Sequence, residues 1–242
     1  MIPFYAFGRA TPRFLFGLLL LLSQSTASYQ ISTVNIDCYR CNNWDLRRPI
    51  ILETLPRSDI IAFQELSAGT PQFDDILNAL PEYDHCMSEV NNWNSITATT
   101  FFKKTLGAQC VGPIAVGYSC SLIKIKSTKL YNCHLPWQPR LIGREVDKLL
   151  EILTAGDILV GDLNMGEEQN TEQWFRVRSI LSGYIIDRVD VVGLVGGSLL
   201  RIREPSISAV GLGVIDKSHN IVTVTVFRDI SFMPSILLLL EE

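Results

Sequence analysis

The chain has 242 residues, 47% of them hydrophobic and 19% charged, which is the balance of one globular α/β domain with a sizeable core and excludes a disordered chain. Its formal net charge of −4 excludes a protein that grips polyanions over a broad basic surface, so any hold on nucleic acid must be local.

The first segment carries Arg9 and Arg13, then an apolar run from Phe14 to Leu22, then the small residues Ser25, Thr26 and Ala27. This is the grammar of a secretory signal peptide, residues 1–27, ending at a cleavage site. The competing reading, an uncleaved anchor, needs about 20 apolar residues to span a bilayer, and this run is shorter. Cleavage would leave 19 basic against 25 acidic residues. All six cysteines (Cys38, Cys41, Cys86, Cys110, Cys120, Cys133) follow the leader, and an even count in an exported chain predicts up to three disulfides whose pairing the sequence leaves open. Cys38 and Cys41 have the spacing of half a zinc site, but no second pair completes it.

The domain spans residues 28–230. Ser32 to Asp37 alternates like a strand, and Ser58 to Glu65 is an apolar run stopped by polar groups. Between them, Leu46 to Leu55 has helical spacing, with Pro49 expected in an early turn. Thr97 to Lys103, Ile114 to Ile125 and Leu130 to Cys133 read as hairpin-linked antiparallel strands. Arg144 to Leu153 carries a helical apolar stripe, Asp157 to Gly161 reads as a buried strand, Thr171 to Leu181 as a helix, and Ile185 to Val192 and Ile221 to Phe227 as strands. Two β-rich halves flanked by helices predict stacked sheets with helices outside. The tail, residues 231–242, is apolar but too short to span a membrane and is broken by Pro234; it reads as a docked segment.

Polar groups cluster where the strands stop. Asn35 ends the first strand and Glu65 follows the second; His134 follows Leu130 to Cys133; Gly161-Asp162-Leu163-Asn164 puts an acid and an amide two residues apart; and His219, with Asp216 and Ser218 beside it, precedes the final strand. Taken singly, each has a plainer reading: an exposed glutamate opening a loop, a turn rich in Asp and Asn, a structural histidine. As a set they suit hydrolysis of a phosphodiester, which needs a hard cation, a base for water, donors for developing charge and help for the leaving oxygen.

In this order, Asn35, Gln64-Glu65, His134-Leu135, Gly161-Asp162-Leu163-Asn164, Ile186-Asp187-Arg188-Val189 and Ser218-His219 resemble the endonuclease/exonuclease/phosphatase superfamily, and Thr33-Val34-Asn35-Ile36-Asp37 is most similar to the opening of its tyrosyl-DNA phosphodiesterase branch. The resemblance implies a four-layer α/β/β/α sandwich with two mainly antiparallel sheets. It implies Asn35 and Glu65 at a magnesium or manganese ion, and His134 donating to a phosphate oxygen. Asp162 would activate water, Asn164 would stabilise the transition state, Asp187 would support the site, and His219 would be the catalytic histidine. The chain departs from that pattern in two places. Ser218 stands where the family has an aspartate beside the histidine, with Asp216 as the carboxylate that could compensate, and Gly117-Tyr118-Ser119 stands where many members carry an arginine.

The leading expectation is therefore a secreted, metal-dependent phosphodiester hydrolase of nuclease type, with nucleic acid as substrate and no stable membrane span after leader removal. Two alternatives stay open: a phospholipid or small phosphate-ester hydrolase, and an eroded family member acting as a secreted binding protein. A cysteine-rich structural or signalling domain would account for the cysteines and the leader but leaves the strand-end polar groups unexplained.

Overall fold

A computed structural model describes residues 28–36, 44–88, 97–136, 138–165, 171–182, 190–195, 200–202, 206–209 and 220–228. In chain order the elements are β1 (Ser28–Asn35), α1 (Trp44–Thr54), β2 (Ile60–Gln64), α2 (Pro71–Ala79), β3 (Tyr83–Met87), β4 (Ala98–Lys103), β5 (Gln109–Pro113), β6 (Ser119–Ile125), β7 (Thr128–His134), α3 (Pro139–Ile152), β8 (Ile158–Asp162), α4 (Thr171–Ile180), β9 (Leu181–Ser182), β10 (Asp190–Val195), β11 (Leu200–Ile202), β12 (Ser206–Ala209) and β13 (Asn220–Arg228).

The strands make two sheets. One runs β11-β13-β1-β2-β4-β3 with β12 also on β13; the other runs β5-β6-β7-β8-β10-β9. Each has a single parallel pair, β1 with β2 and β7 with β8, amid antiparallel neighbours. A parallel pair needs a crossover connection, and α1 and α3 lie in those two connections.

Strand alternation sorts the apolar residues into three layers of core. Val34, Ile36, Ile61, Phe63 and Phe101 point away from the second sheet and pack with Trp44, Ile51, Phe73 and Ile76 of α1 and α2. Ile31, Ile60, Ala62, Phe102, Ile123, Leu130, Ile158 and Val160 meet between the sheets. Tyr131, Cys133 and Leu159 face Ile142, Val146 and Leu149 of α3. The result is a helix–sheet–sheet–helix sandwich. Each fully buried Val, Leu, Ile or Phe side chain among them contributes about 1.5–3 kcal/mol relative to exposure.

The helices differ from the sequence expectation at their starts. α3 begins at Pro139, five residues before the apolar stripe was expected to open, because proline at the first helical position supplies a ready φ and wastes no hydrogen bond. α1 begins at Trp44, so Pro49 lies inside it rather than in its opening turn. Trp44 is buried and its indole donates to Asp75 of α2 at 2.8 Å, a tertiary contact that draws the helix start back. α2, β3 and β5 carry too weak a local pattern to be foreseen; α2 is set by Thr70, whose hydroxyl accepts from Phe73 N–H, and by Pro71 at its start. No helix among the described residues is long and apolar enough to cross a membrane.

Four cysteines pair. Cys120 and Cys133 lie directly opposite each other on β6 and β7. Cys86 of β3 is bonded to Cys110 of β5, the outermost strands of the two sheets, so this bond closes one edge of the sandwich. Cys38 and Cys41 lie outside the described residues. The Cys86–Cys110 bond closes a chain segment of 24 residues. Replacing both cysteines by serine should cost about 3 kcal/mol, read as a lowered urea midpoint against the parent protein.

Candidate active site

The space between the sheets changes character along the strands. At one end the inward residues are apolar: Ile31, Ile60, Leu130 and Ile158. Two residues further on, β1 and β7 turn polar with Thr33 and Asn132, while Ala62 and Val160 keep β2 and β8 apolar; Gln64 follows on β2 at the level of Asn35, and all three polar residues are buried. Gln64 Nε2 donates to Asn132 Oδ1 across the sheets at 2.8 Å and to Thr33 Oγ1 at 3.1 Å, while Asn132 Nδ2 donates to the carbonyl of Phe63 at 3.0 Å. Two more residues bring Asn35, His134 and Asp162, at the strand ends. Since side chains repeat with a period of two, Ile31-Thr33-Asn35, Leu130-Asn132-His134 and Ile158-Val160-Asp162 are each one face of one strand. The polar set is thus the continuation of the core layer to the strand ends.

Register brings the set together. His134 pairs with Asp162 across β7 and β8, and Asn35 pairs with Gln64 across β1 and β2. Asn35 Nδ2 donates to Asp162 Oδ2 at 2.8 Å and lies 3.4 Å from Glu65 Oε1, so one amide bridges two carboxylates from opposite sheets. His134 Nε2 is 3.7 Å from Asp162 Oδ2. Asn35, His134 and Asp162 are each no more than 3% exposed. A carboxylate held this far from water is costly unless it is hydrogen-bonded, and Asp162 is: its second oxygen accepts from the Asn164 N–H at 2.9 Å.

Two of the site residues take left-handed backbone conformations that side chains other than Asn and Asp rarely adopt: Glu65 has φ 60° and Asn164 φ 47°. At Glu65 this breaks the alternation of β2 and turns the residue after Gln64 toward Asn35. At Asn164 it makes the Asx turn onto Asp162, and the Asn164 amide donates to the carbonyl of Leu135 at 2.8 Å. The turn reading of Gly161 to Asn164 and the site reading therefore describe one piece of structure.

Sequence reasoning assigned no role to Gln64 or Asn132, or to a loop that lies against His134. Ile114 to Tyr118 does not extend β6; it turns back, and the Tyr118 N–H donates to the carbonyl of His134 at 2.9 Å. The Tyr118 ring stands edge-on to the imidazole, centroids 5.6 Å apart. Glu145 of α3, 3% exposed, accepts from the Gly117 N–H at 2.8 Å. Burial alone would raise its carboxyl pKa, but the Gly117 N–H and the Lys148 and Arg144 cations outweigh it and hold the group below the ordinary carboxylate value. The usable signal for Asn132 was its parity with His134.

Asp187, Asp216, Ser218 and His219 lie outside the described residues. The strands that flank them are described. β10 runs antiparallel to β8 with Asp190 opposite Asp162. β13, whose first residue follows His219, runs antiparallel to β1 with Val222 opposite Thr33, so it starts at the end of β1 that carries Asn35.

Among the described residues no three His, Cys, Asp or Glu side chains group to hold a metal ion. What converges instead is two carboxylates, Glu65 and Asp162, held together by the Nδ2 of Asn35. Carboxylate oxygens, to which the Asn35 amide oxygen can add a third donor, are the chemistry that suits magnesium or manganese, which keep several waters, rather than a structural zinc site.

Solved structures match over the length of the described fold. D. rerio TDP2 humanized by 14 mutations aligns with a TM-score of 0.58 at 12% identity, covering 82% of this chain and 98% of that one. An endonuclease/exonuclease/phosphatase family protein from Bacteroides thetaiotaomicron aligns with a TM-score of 0.58 at 15% identity, covering 85% of this chain and all of the other. This chain has the endonuclease/exonuclease/phosphatase fold. A truncated Caenorhabditis elegans TDP2 aligns likewise, with a TM-score of 0.56 at 16% identity over 83% of this chain and 97% of that one. No family model and no curated protein matches the sequence. The likeness is one of three-dimensional structure. In this fold Asn35, Glu65, His134 and Asp162 lie at or just beyond the ends of β1, β2, β7 and β8.

Proposed function

We propose that this chain is a secreted, metal-dependent phosphodiester hydrolase of nuclease type. The observation that carries the reading is the Asn35 amide bridging Asp162 and Glu65, with His134 against Asp162, at the strand ends of a buried layer. Burying two ionisable side chains at one end of the inter-sheet space costs stability that an apolar pair would not, which is the mark of a group kept for chemistry. In this reading Glu65 and Asn35 hold the magnesium or manganese ion. When bound, the ion neutralises charge on the non-bridging phosphate oxygens.

The rest falls to the protein. Asp162, fixed by Asn35 and by the Asn164 N–H, accepts a proton from the attacking water. His134 donates to a phosphate oxygen, and Asn164 steadies the charge that develops there. His219, one residue before β13, serves as the catalytic histidine, with Asp216 taking the part of the aspartate replaced by Ser218; Asp187 supports the site ahead of β10. Nucleic acid is the substrate this reading favours: one D. rerio TDP2 of the same fold is complexed with a single strand DNA product. Export follows from the leader at residues 1–27, and the two disulfides suit an oxidising compartment.

The test is hydrolysis of bis(p-nitrophenyl) phosphate and of plasmid DNA by the mature chain with magnesium or manganese, beside His219→Ala. Turnover that disappears with chelator and in His219→Ala is the expected result. An unchanged rate under chelator would sink the metal-dependent reading, and no turnover on either substrate, with a gain on Ser218→Asp, would identify an eroded site.

A further inference from the structure

We propose that Glu145 is a positioning residue for His134, acting through Gly117 and Tyr118 of the 114–118 loop. Glu145 lies on the flank of the α3 stripe formed by Ile142, Val146 and Leu149, facing the protein with 3% of its surface exposed. An acid there is expensive unless its oxygens are occupied. Oε2 accepts the Gly117 N–H at 2.8 Å and Oε1 the Arg144 Nε–H at 3.0 Å, while the Lys148 ammonium bonds both oxygens at 3.0 Å. The two cations reach in from half-exposed or exposed positions and settle the charge, leaving the Gly117 N–H as the one contact directed at the loop.

That contact is made where the loop comes closest to the site strand. Gly117 has φ +68°, and a Cβ there would stand 2.6 Å from the carbonyl oxygen of His134. The same carbonyl accepts the Tyr118 N–H at 2.9 Å, and the Tyr118 ring lies edge-on to the His134 imidazole at an interplanar angle of 83°. The Tyr118 hydroxyl donates to Gln138, the residue before α3. The loop is thus pinned at two points, to Gln138 just ahead of α3 and to Glu145 within it, and it holds His134 from the side opposite its strand neighbour Asp162. Glu145 touches neither imidazole nor substrate; it decides where the imidazole can sit.

The test reads His134 itself. The chain has three histidines, so a histidine-labelled protein gives three imidazole signals, and His134→Gln identifies the one that matters. In Glu145→Ala the His134 signal should move or broaden while that of His85, on β3, stays in place; Glu145→Gln, which keeps an acceptor for the Gly117 N–H, should restore it. A folded Glu145→Ala protein with an unmoved His134 signal would overturn the proposal. If that variant does not fold, Tyr118→Leu removes the ring while leaving Glu145 and its cations intact, and an unmoved signal there overturns it equally. A second arm rests on the hydrolase reading: kcat of Glu145→Ala should fall about tenfold to a hundredfold with KM little changed, since a small displacement of a catalytic group costs that much. An inactive parent protein that still shows the His134 shift would remove the hydrolase reading and leave the positioning role supported.

Discussion

Asp162→Asn should lower phosphodiesterase kcat by about two to four orders of magnitude while the protein still unfolds cooperatively near the parent temperature. The substitution keeps the shape of the side chain. It removes the negative charge, and it converts one acceptor into a donor in a place where both carboxylate oxygens now accept, from Asn35 Nδ2 at 2.8 Å and from the Asn164 N–H at 2.9 Å. Whichever way the new amide turns, one of those donors meets another donor. The cost to folding is limited because an unpaired charge is not created; the buried anion is simply removed. The cost to chemistry is large because no other described carboxylate stands beside His134 and Asn35 together. Steady-state kinetics on bis(p-nitrophenyl) phosphate, with thermal unfolding of the same sample, separates the two effects. A rate within a few-fold of the parent would make Asp162 a structural acceptor for the Asn35 amide and move the base elsewhere.

Gly161→Ala should be the most damaging added methyl among the described glycines, lowering stability by about 3–5 kcal/mol and removing activity with it. Gly161 lies within β8 with φ +132°, a conformation closed to L side chains, and a Cβ there would collide with the backbone of Cys133 on the neighbouring strand. Neither atom can step aside. Cys133 is held by its bond to Cys120 and by the β7 ladder, and Asp162 follows at once. Relief would require β8 to move away from β7 at the His134–Asp162 pair. Urea denaturation reads the stability loss. Should Gly161→Ala match the parent in both urea midpoint and activity, the close approach of β7 and β8 described here would be wrong. Gly107→Ala is a useful contrast: its φ is also positive, but a Cβ there meets nothing within 4 Å, so its cost should be confined to backbone strain of about 1 kcal/mol.

The site and the fold were legible in the sequence to different depths. Asn35 could be placed because it lies in an alternating strand and Asp162 because it stops an apolar run, and such local patterns carry that information without any knowledge of neighbours. Glu65 was found as the end of the Phe63-Gln64-Glu65 run, but the left-handed turn that aims it at Asn35 has no local signal in a glutamate. Gln64 stood in the Gln64-Glu65 motif without a role of its own and Asn132 looked like an ordinary polar residue in a strand; their role depends on a bond between sheets, across 68 positions of sequence. Glu145 looked like one more charge on an amphipathic helix, and the Gly117–Tyr118 loop looked like strand, because Ile114 and Val116 have strand-like composition.

By itself, then, the sequence determined the two β-rich halves, the helices that flank them and the polar strand ends, all of which follow from apolar periodicity and local stops. The tertiary structure decided that β1 lies beside β2, β7 beside β8 and the two pairs face each other, and so decided that Asn35 meets Asp162 across 127 positions of chain. Alternation fixes which side of a strand a residue occupies; only the packing of one sheet on another determines what it finds there.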